Sequence, residues 1–407
     1  MQRERLLSYA NLIARVGANI KQGQEVIISA ELDAPEFVTM LTEECYKAGA
    51  KRVTVEWTHS PISKLSAVYC SKETLSEVAS WQEEKLKYQV ENLPVKIYLL
   101  SEDPDAMAGI DQAKYSAALA ARYKIIKPYR DAMDNKYQWC IAAVAGKDWA
   151  KKVFPDLDED TATEKLWEAI LYTSRCDDNP ILSWENHNKE LADKCQKLNA
   201  MEISSLHYTA LNGTDLTVGL IPTAKFLGGG ETTLSGNYFN PNIPTEEVFT
   251  TPDKDKADGI VYSSRPLSYR GELIDEFWLE FRGGKVVNFG AKKNQELLKE
   301  LISMDEGAAK LGECALVPYS SPIRESEILF YNTLFDENAA CHLALGEGFS
   351  NTIDGFENMS LEECRKLGVN TSSVHEDFMI GTADLCITAK TKSGEEVEIF
   401  KEGNWVI

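Results

Sequence analysis

The chain has 407 residues, of which 43% are hydrophobic and 26% are charged. A chain of this length and composition folds into two or three domains that each bury a core, so its stability needs no disulfide bonds. The 64 Asp and Glu residues outnumber the 43 Lys and Arg residues, and the formal net charge of −21 opposes binding to nucleic-acid phosphates. The acidic surface either serves solubility alone or includes an acidic cleft that receives a cationic substrate end or metal ions.

The N-terminal segment carries charges at Arg3, Glu4 and Arg5, followed by apolar residues at helical spacing. A signal peptide would instead show an unbroken apolar core of about 7–15 residues. No segment reaches the roughly 20 apolar residues of a membrane-spanning helix. Nine cysteines are scattered without a CxxC pair, which indicates reduced thiols rather than disulfides or a cysteine zinc site. We therefore expect a cytoplasmic protein with neither nucleic-acid nor membrane partners.

The first half of the chain alternates apolar strand patterns with amphipathic helical patterns. A strand followed by a helix and a second strand favours parallel pairing through a crossover connection. The strand patterns cover residues 25–30, 53–57, 95–100 and 139–144, and the helical patterns cover 71–90, 113–126, 161–173 and 183–198. A further helix should begin near Pro35 and stop at Gly49. We predict that residues 1–200 form an α/β domain with a doubly wound, mainly parallel sheet.

The pattern changes near residue 200, where short strand patterns separated by Gly, Pro and Asn begin. These patterns cover residues 203–209, 215–219, 259–263, 276–282, 285–291, 313–317, 385–391 and 396–401. We predict that residues 201–407 form a strand-rich α+β domain, and the residues discussed next indicate that it is the catalytic, metal-binding domain.

Two of the five histidines, His342 and His375, lie in acid-rich segments of this second half. His375 and Asp377 are two positions apart in the strand pattern SVHEDFMI, so their side chains project from the same face, roughly 6.6 Å apart. An imidazole and a carboxylate on one face of a rigid strand can bind a divalent ion.

A helix is predicted for LFDENAACHLALG, residues 334–346, with its N-cap at Asp336. In one regular helix, Glu337 and His342 would lie about 140° apart around the axis and could not share a face. Both can reach one metal cluster only if Glu337 lies in a non-helical segment before the regular helix.

Two further acids, Glu247 and Glu313, precede strongly apolar residues. Carboxylates mixed with imidazoles suit zinc, cobalt or manganese, and two ions bridged by a carboxylate would activate a shared water for hydrolysis. The spacing alone also fits a pair of partly buried histidines that are satisfied by nearby acids. Serine or cysteine nucleophiles lack a recognisable signature, since GxSxG, HExxH and P-loop motifs are absent.

Four segments, in this order, carry a family resemblance: NIPTEEVFTTP, GECALVPYSSPI, LFDENAACHLALGEGF and HEDFMIGTADL. They resemble the motifs of the aminopeptidase T and aminopeptidase S family of dimetal exopeptidases, and the likeness extends over essentially the whole chain. The resemblance implies release of N-terminal amino acids from peptides, two cobalt or zinc ions, an α/β N-terminal domain, a C-terminal catalytic domain and a homodimer.

Carried over position by position, the resemblance implies a catalytic and metal-binding role for Glu247 and for Glu313, with Glu313 bridging the two ions. The remaining metal ligands implied by the family motifs are Glu337, His342, His375 and Asp377.

One position departs from the family pattern, because Phe349 stands where the pattern has a tyrosine. A phenol there could hydrogen-bond the tetrahedral intermediate, and phenylalanine cannot. The sequence leaves two alternatives open: a metal-dependent amidase acting on a non-peptide substrate, and a non-catalytic metal-binding homologue.

Overall fold

The computed structural model describes residues 3–407. The chain divides into two compact units, one with the residues up to Glu185 and Gly230–Pro244, the other with Asn186–Gly229 and Thr245–Ile407. The sequence placed a single domain boundary at residue 200 and did not indicate that Gly230–Pro244 belongs to the first unit. The division into domains 1–200 and 201–407 stays a prediction.

Helices occur mainly in the first half of the described chain. They are α1 (Arg3–Leu12), α2 (Pro35–Ala48), α3 (Ser60–Tyr69), α4 (Lys72–Ser76), α5 (Ser80–Asn92), α6 (Gln112–Met133), α7 (Lys147–Val153), α8 (Glu159–Thr173), α9 (Pro180–Ala200), α10 (Gln295–Ile302), α11 (Pro322–Glu325), α12 (Thr333–Asp336) and α13 (Leu361–Leu367). None of these helices is both long enough and apolar enough to cross a membrane.

Strands dominate the second half. They are β1 (Glu25–Glu31), β2 (Arg52–Thr58), β3 (Val95–Leu100), β4 (Trp139–Ala143), β5 (Ile203–Thr209), β6 (Asp215–Leu220), β7 (Leu227–Gly228), β8 (Glu231–Thr232), β9 (Tyr238–Phe239), β10 (Asn242–Ile243), β11 (Val248–Thr250), β12 (Pro252–Tyr262), β13 (Leu267–Tyr269), β14 (Glu272–Arg282), β15 (Lys285–Lys293), β16 (Leu311–Leu316), β17 (His342–Gly346), β18 (His375–Met379), β19 (Cys386–Thr391), β20 (Glu396–Lys401) and β21 (Asn404–Trp405).

The first unit contains a parallel sheet with the strand order β10-β4-β3-β1-β2. Strand β1 pairs in parallel with β2 and with β3, so the crossover predicted from the strand–helix–strand pattern is confirmed. Helix α2 makes the first crossover; it has Pro35 in its first turn and ends at Gly49, which adopts the left-handed conformation with φ 114°.

The second unit contains antiparallel sheets. A nine-stranded sheet runs β13-β14-β12-β6-β5-β19-β20-β21, with β15 beside β14, and a five-stranded sheet runs β18-β17-β16-β11-β7. We call the five-stranded sheet the site sheet. One hydrophobic core includes residues of both sheets, such as Leu206, Val218, Leu343 and Phe378. The fold therefore combines a parallel-sheet α/β region with antiparallel, strand-rich sheets.

The helix predicted over residues 334–346 is wrong. Helix α12 ends at Asp336, a 3₁₀ turn covers Glu337–Ala339, and His342 begins strand β17. Strand β17 pairs with β16 on one side and β18 on the other, and all five of its residues are buried. Pairing on both edges overrides the helix propensity of its Ala and Leu residues. Because the strand is completely buried, its sequence lacks the alternation of apolar and polar residues that identifies a half-buried strand.

Gly346 generates a prediction about the site sheet, because its φ is +108° and an added Cβ would lie 2.0 Å from the carbonyl oxygen of Val374. Gly394 also has a positive φ, +89°, but its Cβ would meet no atom within 4 Å. Gly394→Ala should lower the free energy of unfolding by about 1–2 kcal/mol, the conformational term alone. Gly346→Ala should lower it by clearly more, because the strand that carries His375 must also shift. Urea unfolding measures both, and equal losses would contradict the packing argument.

Candidate metal centre

The acidic and histidine residues meet on one face of the site sheet. Glu313 lies opposite Ala344 in the strand register, and Ala344 lies opposite Asp377. Paired residues on neighbouring strands point to the same side of a sheet, as do residues two apart on one strand. His342 and His375 therefore share this face with Glu313 and Asp377, across the small side chain of Ala344.

The opposite face of the same strands is mainly apolar and buried; Glu376, which lies opposite Leu345 in the register, is the acidic exception on β18. Its residues in the hydrophobic core are Val248, Cys314, Leu316, Leu343, Leu345 and Phe378. Burial of this face fixes the register, because a slip by one residue would exchange the charged and apolar faces.

The first group of possible ligands consists of Glu247, Glu313 and His342, each of which offers one atom within 4.8 Å of the others. Glu247 comes directly before β11, and its Oε2 lies 3.1 Å from Nε2 of His342. The other ring nitrogen, Nδ1, lies 3.2 Å from the carbonyl oxygen of Ala340. Because a carbonyl only accepts, Nδ1 carries the hydrogen and the ring directs Nε2 at Glu247.

The second group consists of Glu313, His375 and Asp377, again with one atom of each within 4.8 Å of the others. His375 Nε2 lies 3.2 Å from Glu313 Oε2 and 3.5 Å from Asp377 Oδ1. Its Nδ1 donates to the carbonyl oxygen of Glu347 at 2.7 Å. Glu313 belongs to both groups and lies where a bridging carboxylate would be needed.

Glu337 is in neither group of three, although its carboxyl is close enough to interact with them. Burial, and then the negative charges of Asp377 and Glu247, raise the pKa of Glu337 well above its usual value. The condition set by the sequence, that Glu337 lies outside a regular helix shared with His342, is met by the 3₁₀ turn and strand rather than by a helix start.

Burial and mutual repulsion shape the electrostatics of the site. Burial is the main cause that raises the pKa of Glu313 to about 7, and the charges of Glu247 and Asp377 add to it. Burial alone would lower the pKa of His342, but the hydrogen bond to Glu247 and the surrounding carboxylates outweigh it and raise the pKa to about 10. Without ions, protons on the histidines and carboxyls balance the charge, and cations would compete with these protons.

The residues fit a divalent metal ion. Asp377 Oδ1 is buried, and its contact with Nε2 of His375 is long, at 3.5 Å, so it forms no well-defined hydrogen bond. A buried carboxylate oxygen with so long a contact is poorly satisfied, and a cation would satisfy it better. The donor set of carboxylate oxygens and imidazole nitrogens suits zinc, cobalt or manganese.

Two aromatic rings pack beside the second group. The ring centroid of Phe349 lies 4.8 Å from that of His375, and Phe249 packs edge-on against Phe349 at 5.5 Å. The position where the family pattern has tyrosine thus supplies a ring without a hydroxyl. Tyr319, in the motif segment GECALVPYSSPI, does carry a hydroxyl, and this hydroxyl accepts a hydrogen bond from Arg324 Nη2 at 2.7 Å.

Sequence reasoning missed two polar groups beside these residues: the backbone carbonyl of Glu347 and the side chain of Asn338. A backbone acceptor leaves no trace in the sequence. Asn338 lies between Glu337 and His342 in DENAACH. Its position between two predicted ligands was the feature of the sequence that indicated a place beside the site.

Glu313 generates a prediction for the metal-free protein. Its pKa in the folded chain, about 7, is above its usual 4.5, so the folded state binds more protons between these values and stability falls as pH rises. Replacing Glu313 with Gln removes this loss. Between pH 5 and pH 8, the free energy of unfolding of Glu313→Gln should therefore rise relative to the unmutated protein by about 2–3 kcal/mol.

Urea unfolding with a chelator present measures this difference. The exposed Glu296 provides a control variant, Glu296→Gln, for which we expect no comparable change. A stability difference for Glu313→Gln that is independent of pH would contradict the burial argument.

The comparisons with known proteins agree with this chemistry. A family model described as thermophilic metalloprotease (M29) matches residues 2–405. The chain is 42% identical to aminopeptidase AmpS of Bacillus subtilis, covering 99% of this chain and 98% of that protein. It is 41% identical to aminopeptidase 2 of Geobacillus stearothermophilus, covering 98% and 96%. The solved structure of wild-type AmpT from Thermus thermophilus superimposes with a TM-score of 0.91 at 36% identity, covering 100% of each chain. The chain belongs to the M29 family of metalloproteases.

Proposed function

We propose that this protein is a metal-dependent aminopeptidase that hydrolyses the N-terminal peptide bond of peptides with a free N-terminus. The observation that carries the proposal is the pair of three-residue groups that share Glu313 on one sheet face. The relatives named aminopeptidase AmpS and aminopeptidase T support the choice of substrate. In this proposal the catalytic domain is residues 201–407.

In this proposal the site holds two divalent ions, which are zinc, cobalt or manganese. Glu247 and His342 would hold one ion, His375 and Asp377 would hold the other, Glu313 would contribute to both, and Glu337 would complete the set. When bound, such ions supply Lewis acidity, lowering the pKa of water and polarising the peptide carbonyl.

The chain's own residues supply position, charge and proton capacity. The carbonyls of Ala340 and Glu347 fix the two histidine rings, so that each presents Nε2 to the carboxylates. Glu313 has a raised pKa only in the site without ions; bound cations would favour its ionised form. Glu313 and Glu247 are the two carboxylates given a catalytic role in this proposal. The acidic cluster also attracts the ammonium group of a peptide N-terminus, which favours exopeptidase activity.

Histidine substitutions test the site. His342→Ala and His375→Ala should each lose metal and hydrolysis while staying folded, because the ion held by that histidine loses one of few ligands and a repelling group of carboxylates remains. His207→Ala is the matched control, since His207 is an exposed strand residue that pairs with Asp215 at 2.8 Å. Metal stoichiometry by elemental analysis, with release of the N-terminal residue from a short peptide, measures the effect.

Chelation should reproduce the loss in the unmutated protein, and added zinc, cobalt or manganese should reverse it. If His375→Ala keeps its metal and near-normal turnover, the ligand assignment is wrong. Metal content without turnover in the unmutated protein would instead indicate the non-catalytic homologue.

We further propose that the protein works as a homodimer in the cytoplasm. The family resemblance supports the dimer, and nine free cysteines are compatible with a reducing compartment. Light scattering at micromolar concentration should give about twice the mass of one chain, and a monomer would refute this assembly.

A further inference from the structure

Asn338 is a fully buried neutral side chain in the 3₁₀ turn that follows α12. Its Oδ1 accepts the backbone N–H of Glu246 at 2.7 Å. Its Nδ2 donates to the carbonyl oxygen of Leu334 at 3.0 Å and to Glu337 Oε1 at 3.3 Å. One amide thus uses its oxygen and its nitrogen to join two acidic segments that are far apart in the sequence.

The orientation of this amide follows from its partners. The N–H of Glu246 can only donate and the carbonyl of Leu334 can only accept, so the oxygen and nitrogen of Asn338 cannot be exchanged. The group facing Glu337 is therefore an N–H donor. This donor contacts one carboxylate oxygen of Glu337 and leaves the other oxygen outside the bond.

Glu337 needs such a donor because its surroundings are negative. Burial, and then the charges of Asp377 and Glu247, act against its ionised form. A hydrogen bond from a neutral amide stabilises that form without adding a further charge, and such bonds to charged groups are stronger than neutral ones.

The same amide fixes the backbone next to Glu247. The N–H of Glu246 is held at a buried position by Oδ1 of Asn338. Glu247 follows at once and reaches His342 Nε2 at 3.1 Å. A change at position 338 would therefore disturb the carboxylate of Glu337 and the approach of Glu247 together.

We propose that Asn338 is a positioning residue of the reaction, which orients the Glu337 carboxylate and sets the place of Glu247 relative to it. The inference rests on the proposed function in that it takes both glutamates to be part of the metal site.

The first test replaces the amide donor of Asn338 with an acceptor. Asn338→Asp keeps the shape and the acceptor for Glu246 but places a carboxylate against Glu337 and against the carbonyl of Leu334. We expect a lower Tm, weaker zinc binding and a kcat for leucine p-nitroanilide that is lower by about tenfold or more, the effect of losing one hydrogen bond to a charged group. KM should change much less, because the substrate does not touch Asn338 in this scheme.

The second variant adds Glu337→Gln to Asn338→Asp. The amide introduced at position 337 can donate to the carboxylate introduced at position 338, so the hydrogen bond forms again with its direction reversed. We expect Tm to recover toward that of the unmutated protein, while zinc affinity and kcat stay low because the Glu337 carboxylate is gone. Independent, additive effects of the two substitutions on Tm would overturn the proposal.

Asn199→Asp is the matched control. Asn199 binds the backbone of Phe226 through both its oxygen, at 2.8 Å, and its nitrogen, at 3.0 Å, and these contacts involve no acid. It should lose stability but keep zinc affinity and kcat. A similar pattern in Asn338→Asp, with zinc affinity and kcat within about threefold, would show a merely structural role. If the unmutated protein binds zinc but hydrolyses no anilide or peptide, the proposed function fails, while Tm and zinc affinity still decide the role of Asn338.

Discussion

Repulsion among buried carboxylates is the constraint on which the rest of this structure depends. Glu247, Glu313, Glu337 and Asp377 interact at short range, and burial weakens the screening that water would provide. Within residues 3–407, the ion pairs of these acids are with histidines, and no Lys or Arg lies at ion-pair distance from them. Two histidines are the basic partners that contact them. Such a cluster is unfavourable unless protons or cations occupy it, so the fold must supply the energy that holds it together.

The site sheet supplies that energy from its other face. Strands β16, β17 and β18 place the histidines, the site carboxylates and two alanines on one side and, apart from Glu376, apolar core residues on the other. Each buried Leu or Phe contributes about 1.5–3 kcal/mol, which offsets part of the cost of holding the carboxylates together. Ala315 and Ala344 occupy the central strands of the charged face, where larger side chains would fill the space between the carboxylates.

The α/β half could be predicted from the sequence because its signals are local. Strand β3 has the predicted bounds, and α2 ends at the glycine that the sequence indicated. The helix expected over residues 71–90 is divided into α4 and α5, because Ser71 caps the first and the side chain of Gln82 binds the backbone N–H of Ala79 at the start of the second. Strands as short as β7 and β10 are set by distant partners, which periodicity does not reveal.

The candidate site shows the same limit. His375 and Asp377 could be placed on one face from their spacing, since they lie on a single strand. The meeting of Glu247, Glu313 and His342 depends on pairing between segments separated by tens of residues, and only the family motifs indicated it. The wrong helix at His342 shows why. In a central strand buried on both faces, the local sequence pattern reflects only the apolar composition, whereas pairing with the neighbouring strands determines the structure.

The hydrogen bonds behind the histidines follow from the charge of the cluster. A metal-binding histidine commonly donates its second ring N–H to a carboxylate, a backbone carbonyl or water. Here both rings use carbonyls, those of Ala340 and Glu347. A carboxylate in either place would add negative charge to a site where the pKa of Glu313 and of Glu337 is already raised. Carbonyls of the backbone orient the rings equally well, and because Ala340 and Glu347 flank strand β17, the pairing that builds the sheet also orients the histidines.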